Sequence, residues 1–302
     1  MTSTGSTSTG STATGSTTTS SSGPRAVTAQ WGIDEWFVVV LARTIRDAEV
    51  VFHGFASPCA QVAMHVARRT HAPGSLLVEG ATYAVDPMPG FVPPTSNDLA
   101  LHRDAVYRMR FEEFFDAACR GDVDRMFLSG GQIDAYGNTN VTAIGGMPTP
   151  KIKLGGGGGG ANISATIGAL TLWTTRHRSG RTLVESVDFL TDLGHVTPAG
   201  SRAQLGYTGG GPQWLVTELG VFDFTPGGRA RLTATFPDVT VPDVERATRF
   251  DLIVADDLAF VPEPTLEELG AVRAVDPLGV RRLEFGPEER GRKFRGQATT
   301  AR

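Results

Sequence analysis

Lysine is almost missing from this sequence. Of 28 basic residues only 3 are lysine, at positions 151, 153 and 293. That bias is the mark of a GC-rich coding composition and carries no binding signal. The formal net charge is −4 and the pI about 5.9, so the chain offers no basic footprint for nucleic acid. Cysteine is scarce too: Cys59 and Cys119 are too few for a disulfide framework or a thiolate metal pattern. Both are expected as reduced thiols in the core of a cytosolic protein. No apolar run approaches the ~18 residues of a membrane span, and the N-terminus lacks the basic and apolar regions of a secretory signal. A cytoplasmic location is expected, with no membrane partner. A Gly-x-Ser-x-Gly elbow is missing, which disfavours a serine hydrolase. The 6 histidines show no zinc motif, so no metal site is expected.

Hydrophobic residues make up 40% of the 302, enough for a sizeable core. Residues 1–23 are nearly all Ser, Thr and Gly, and cannot bury enough apolar surface to offset their ordering entropy. A disordered tail is expected there. From Trp31 the pattern turns globular. Near-helical spacing of Phe37, Val40, Leu41 and Ile45 predicts a helix over 34–47. Residues 49–54 read as a strand, Ser57-Pro58 as the start of a helix, and 75–78 as the next strand. Such a strand–helix–strand unit predicts parallel pairing. A helix is expected over 106–120, a strand over 125–128, and a hairpin joining 170–175 to 182–191 around Arg176, His177, Arg178 and Arg181. That basic turn reads as a solvated tip. Further expectations are a strand pair at 214–217 and 221–224, a strand at 231–236, a helix at 242–248, and one from Thr265 to Val275 with Glu268 as capping-box partner. Strands with few helices in the second half point to a mixed sheet. One α/β domain over 31–280 is expected, followed by a charged, frayed C-terminal tail over 284–302.

Two stretches carry chemistry. Leu76-Leu77-Val78-Glu79-Gly80 is an apolar run ending in a carboxylate and a glycine. In open α/β sheets chemistry sits at the carboxyl ends of strands, where Glu79 would stand as nucleophile or base. His53 ends the preceding strand and is a weaker candidate beside it; His65 and His71 read as a solvated helix edge. The second stretch is Gly155 to Gly160, followed by Ala161-Asn162. Six glycines in a row are costly to order, and backbone amides brought up to a ligand would repay that cost. The run lacks the Gly-Lys-Ser/Thr ending of a P-loop.

Taken together, three segments and a closing region resemble the B (beta) chain of class I coenzyme A transferases of the glutaconate type, over about residues 35–275. They are Val50-Val51-Phe52-His53-Gly54 with its helix, ending at Leu77-Val78-Glu79-Gly80; Gly130-Gly131-Gln132-Ile133-Asp134 through Tyr136-Gly137-Asn138; and the glycine run ending in Ala161-Asn162. The closing region is Leu215-Val216-Thr217-Glu218-Leu219-Gly220 with Pro242-Asp243-Val244 and Thr248-Arg249-Phe250-Asp251. The resemblance implies a three-layer α/β/α domain with a mostly parallel, partly mixed open sheet. It implies Glu79 as the nucleophile that takes coenzyme A as a thioester, although Gly80-Ala81 stands where that family has Ser-Gly. It also implies Gly156, Gly157, Gly158, Gly159, Gly160, Ala161, Asn162, Gln132 and Asn138 as substrate-binding or oxyanion residues. No permanently bound cofactor is implied; coenzyme A is a substrate. A separate A (alpha) subunit, in a heterotetramer, is the implied partner. Two rivals accompany this reading: a ring-cleaving hydrolase of CoA esters from the same superfamily, and a non-catalytic scaffold subunit.

Overall fold

Adjacent parallel strands put His53 and Glu79 side by side. The computed structural model describes residues 1–2 and 27–298, so the tail expected at 1–23 lies almost wholly outside the described residues. The strands are β1 (Val27–Gly32), β2 (Val50–His53), β3 (Leu76–Val78), β4 (Ala84–Val85), β5 (Tyr107–Arg108), β6 (Arg125–Ser129), β7 (Gln132–Ile133), β8 (Thr139–Asn140), β9 (Ala143–Ile144), β10 (Ile152–Lys153), β11 (Ala169–Thr174), β12 (Val196–Thr197), β13 (Gly200–Ser201), β14 (Pro212–Thr217), β15 (Gly220–Phe224), β16 (Ala230–Thr235), β17 (Ile253–Phe260) and β18 (Lys293–Ala298). The helices are α1 (Ile33–Arg43), α2 (Pro58–Arg69), α3 (Phe111–Arg120), α4 (Gly160–Thr166), α5 (Val241–Ala247), α6 (Leu266–Val275) and α7 (Pro287–Arg290).

One ten-stranded sheet runs in the order β17-β16-β15-β14-β11-β6-β2-β3-β4-β5. Its centre, β14 through β3, is parallel throughout. Its flanks turn mixed through the hairpins β14–β15 and β3–β4. Central strands such as β6 and β11 are buried along nearly their whole length, as sheets covered on both faces require. Strand alternation divides the faces. Phe52 of β2 stacks 4.1 Å from Phe114 of α3, while its neighbour His53 turns to the carboxylate that α2 also contacts. Helices α1, α2 and α6 pack together on that side; α3 packs with α4 on the other. This is the three-layer α/β/α architecture expected.

Most expected elements are present, but the helix expected over 106–120 begins only at Phe111, because Tyr107–Arg108 pairs with β4 as an edge strand; two larger corrections concern 176–191 and the C-terminal stretch. The basic stretch at 176–181 is no hairpin tip. β11 is hydrogen-bonded on both edges, by β6 and β14, so no edge is left for a returning strand at 182–191. His177 is wholly buried there, held by Thr217 and Thr248, while Arg176, Arg178 and Arg181 are exposed.

The frayed C-terminal tail is the second correction. Residues 293–298 form β18, antiparallel to β1, and Phe294 meets Trp36 edge-on at 4.9 Å. An ionic knot fastens the approach to this strand. Arg281 pairs with Asp34 at 3.0 Å and with Asp276 at 2.8 Å, and Arg282 reaches Asp34 at 2.9 Å. Arg281, Asp34 and Asp276 are all buried. The two cysteines also divide: Cys59 is buried, but Cys119 is exposed on α3. Among the described residues no helix is long and apolar enough to cross a membrane.

Arg281→Ala would leave the buried Asp276 carboxylate without its cation and Asp34 with Arg282 alone, a loss of about 3–5 kcal/mol for a buried ion pair broken from one side. Urea unfolding should show that drop in stability, whereas Arg282→Ala, removing a half-exposed partner, should cost far less.

Candidate active site

β3 ends at Val78, and Glu79 is the first residue beyond it. The chain then turns tightly, Tyr83 N–H donating to Glu79 O and Glu79 N–H to Ala84 O. Glycine follows Glu79 for a steric reason: a Cβ at position 80 would lie 2.2 Å from the His53 carbonyl oxygen. The close approach of β2 and this turn thus accounts for Gly80 where the resemblance leads one to expect serine.

The Glu79 side chain is 1% exposed. Three side chains meet its carboxylate. His53 Nε2 and Gln61 Nε2 lie 2.8 and 2.6 Å from Oε2, and His65 Nε2 lies 3.0 Å from Oε1. Gln61 and His65 stand four apart on α2, hence on one helical stripe. Small residues elsewhere on α2, Ala60, Ala63 and Ala67, let the helix lie close enough for both to reach. Burial alone would push the Glu79 carboxyl up. The histidine hydrogen bonds and charges outweigh it and hold the group well below the usual carboxylate range. Hydrogen bonds to an ionised group contribute ~1.5–3 kcal/mol each. His53 Nδ1 also lies 2.7 Å from the Gly54 carbonyl oxygen, and the Gly80 N–H lies 3.2 Å from its Nε2.

Two cavities adjoin this cluster without touching Glu79 itself. The larger, about 900 Å³, is lined by Gly54, by aromatic rings and by the glycine run from Gly155 to Gly160. The smaller, about 260 Å³, is lined by Gln61, Ser57 and the loop 93–96. Glu284 lines both. Its Oε2 accepts the Cys59 N–H at 2.8 Å, and burial pushes its carboxyl up to about 7. Asp192 lines the larger cavity, accepts a bond from Thr139, and is pushed up by burial to about 6. Gly156 N–H donates to Val141 O and Gly160 N–H to Gly157 O; among the described residues no partner is found for the amides of Gly157, Gly158 and Gly159. Gly156 has φ +91°, open to glycine, and a Cβ at Gly159 would lie 2.0 Å from the Phe115 ring. The loop can therefore present amides to a ligand in a way no substituted chain could.

The structure does not bring every expected residue here. Gln132 is tied to Asp188 and Asn140. Asn138 spends its amide on Asp134, Val196 and Gly194. Both brace the 132–140 turn outside either cavity, and Ala161 and Asn162 are exposed on the first turn of α4, lining neither. His65, expected at a solvated helix edge, is instead a buried donor to Glu79. The overlooked signal was its four-residue spacing from Gln61. Glu284 was hidden because the C-terminal stretch read as fraying. Cys59 is no nucleophile: burial, then Glu284, drive its thiol well above the usual range. Among the described residues no group of three or more His, Cys, Asp and Glu could hold a metal ion.

The coenzyme A transferase family model matches residues 38–247. The B chain of the 3-oxoadipate CoA-transferase of Pseudomonas knackmussii is 30% identical over 251 residues, 82% of this chain and 94% of its own length. The B chain of the glutaconate CoA-transferase of Acidaminococcus fermentans is 32% identical over 244 residues, covering 78% and 89%. The crystal structure of that transferase superposes with a TM-score of 0.74 at 26% identity, covering 85% of this chain and 98% of the other. The cholesterol ring-cleaving hydrolase IpdB subunit of Mycobacterium tuberculosis is 29% identical over 251 residues, covering 82% and 96%.

Opposite pH dependences should mark the two buried acids. Glu79 is depressed in the folded state, so its contribution is present above the unfolded value of ~4.3 and lost as pH falls below it. The stability advantage of the wild type over Glu79→Gln, read from urea midpoints, should shrink between pH 5 and pH 3. Glu284 is raised to about 7, so its contribution is present in acid and lost as pH climbs from ~4.3 through 7. Glu284→Gln should flatten the wild-type decline over that interval.

Proposed function

Because this chain belongs to the coenzyme A transferase family, we propose that it is the B chain of a two-chain transferase whose Glu79 carries coenzyme A as a thioester. The observation that carries this reading is a buried carboxylate, held by three side-chain partners, at the carboxyl end of a central parallel strand. Its partner is a separate A subunit, and the active assembly a heterotetramer.

The chemistry follows from that carboxylate. A Glu79 oxygen attacks the carbonyl carbon of an acyl-CoA, the C–S bond breaks, and CoA thiolate leaves a mixed anhydride behind. The thiolate attacks the Glu79 carboxyl carbon and expels the acyl group as a carboxylate. An incoming acid reverses both steps and departs as the new CoA ester. Covalent catalysis of this kind splits one hard step into easier ones. Attack requires one Glu79 oxygen to leave its donor. Oε2 is held by both Gln61 and His53, and Gln61 also lines the smaller cavity, so its side chain is the donor with room to move. Each tetrahedral intermediate bears an oxyanion, and the unpartnered amides of Gly157 to Gly159 are the candidate donors. A donor in such a hole is worth about 3–4 kcal/mol of barrier.

One observation favours a second reading, hydrolysis of a CoA ester. Glu284 rather than Glu79 faces both cavities, and with its carboxyl near 7 it can serve as general base toward water. Trapping separates the two. The complex with its A subunit, incubated with an acyl-CoA and then borohydride, should show Glu79 with one oxygen lost and two hydrogens gained, by peptide mass spectrometry. Glu79→Gln should lower transfer at least about a thousandfold. An unmodified Glu79 in a complex that still consumes the ester moves the assignment to hydrolysis. Full activity in the variant leaves Glu79 a scaffold residue only.

A further inference from the structure

The larger cavity is unusual in what its wall contains. Phe52, Phe55, Tyr83, Phe111, Phe115 and Phe127 all line it. Several stack on one another: Phe111 lies 4.6 Å from Phe115 and 5.8 Å from Tyr83. Among the described residues no lysine, arginine or histidine lines this cavity or the smaller one, and Asp192 and Glu284 are the only carboxylic acids on their walls. One buried oxygen of Asp192, Oδ1, has no hydrogen-bond partner among those residues. The cavity reaches the carboxyl edge of the sheet, where Glu79 stands: Gly54, the residue after His53, and Tyr83, which closes the turn that Glu79 opens, both line it.

From this geometry we infer that the acyl group handled here is bulky and uncharged, that of an aromatic or alicyclic monocarboxylic acid, and not a dicarboxylic one. The inference rests on the transferase reading for which group reacts. The single carboxylate of such an acid is consumed at Glu79, where it becomes the thioester. A second carboxylate would lie against rings and two acids, with no cation to repay its desolvation. A ring system, by contrast, gains from burial against aromatic faces, in offset or edge-on packing. Cavities of about 300–1,000 Å³ are the usual size for ligands of this kind.

The test uses the complex with its A subunit. Acceptor preference is read as kcat/KM for phenylacetate and cyclohexanecarboxylate against glutarate, with acetyl-CoA as donor. The ring acids should lead by at least about tenfold. Phe111→Arg, a change at an exposed ring on the cavity wall that need not disturb folding, should narrow that ratio by about tenfold. Equal use of glutarate, or a preference for it, overturns the inference, including the case in which the A subunit supplies a cation. Binding keeps the two claims apart. In the Glu79→Gln complex, phenylacetyl-CoA should bind more tightly than glutaryl-CoA by calorimetry whether or not a thioester forms. A missing thioester with that order intact removes the transferase reading alone, and a thioester with the order reversed removes this one alone.

Discussion

A carboxylate with almost no exposure and three side-chain donors organises this molecule. A bare Glu79 at that depth would take up a proton and lose its use as a nucleophile. His53, Gln61 and His65 keep it ionised, and each comes from an element whose placement follows from the sheet. Parallel pairing of β2 with β3 brings His53 level with Glu79. The small-residue face of α2 lets the helix settle near enough for Gln61 and His65. Gly80 lets the turn pass the His53 carbonyl. Changing any of these moves a donor away from a buried charge.

The same clamp sets a tension between holding the carboxylate and using it. Donors that keep Glu79 charged also occupy its lone pairs, which lowers its readiness to attack. Resolution lies in the wall of the smaller cavity: Gln61 lines it, so displacement of one amide would free one lone pair of Oε2 while His53 and His65 still hold the carboxylate. Glu284 lines that same cavity. It is fixed there by the Cys59 amide at the start of α2 and by the Arg281–Asp34–Asp276 knot just before it in sequence. One carboxyl raised to about 7 by burial and another lowered by its donors show the divergence that separates acid and base roles in a site.

Much of this was legible in the sequence. An apolar run ending in Glu-Gly placed Glu79 at a strand end, and the strand–helix–strand signal around Pro58 placed β2, α2 and β3. Thr265 and Glu268 marked the start of α6, and both capping bonds form. What escaped depended on long-range partners. Residues 182–191 have strand-like composition, but both edges of β11 are taken, a fact of topology that no local pattern carries. Residues 293–298 look like a charged tail until β1, at the opposite end of the described chain, supplies their partner. Gln132 and Asn138 matched a motif, but their bonds to Asp134, Asp188 and backbone groups come from residues that the motif does not show. His65 needed the geometry of α2 against Glu79, because a histidine on a helix shows nothing of what lies beneath it.

The central claim is that Glu79 itself bonds to the acyl group, and oxygen labelling tests it most directly. The complex with its A subunit would turn over an acyl-CoA with a carboxylic acid carrying ¹⁸O in both carboxyl oxygens, and the peptide holding Glu79 would be weighed. Attack by the acid on a glutamyl thioester, followed by thiolate attack on the acyl carbon, leaves one acid-derived oxygen on Glu79, so the peptide should gain ¹⁸O. Turnover of the CoA ester with no label in Glu79 would contradict the account and place the chemistry elsewhere in the cavity.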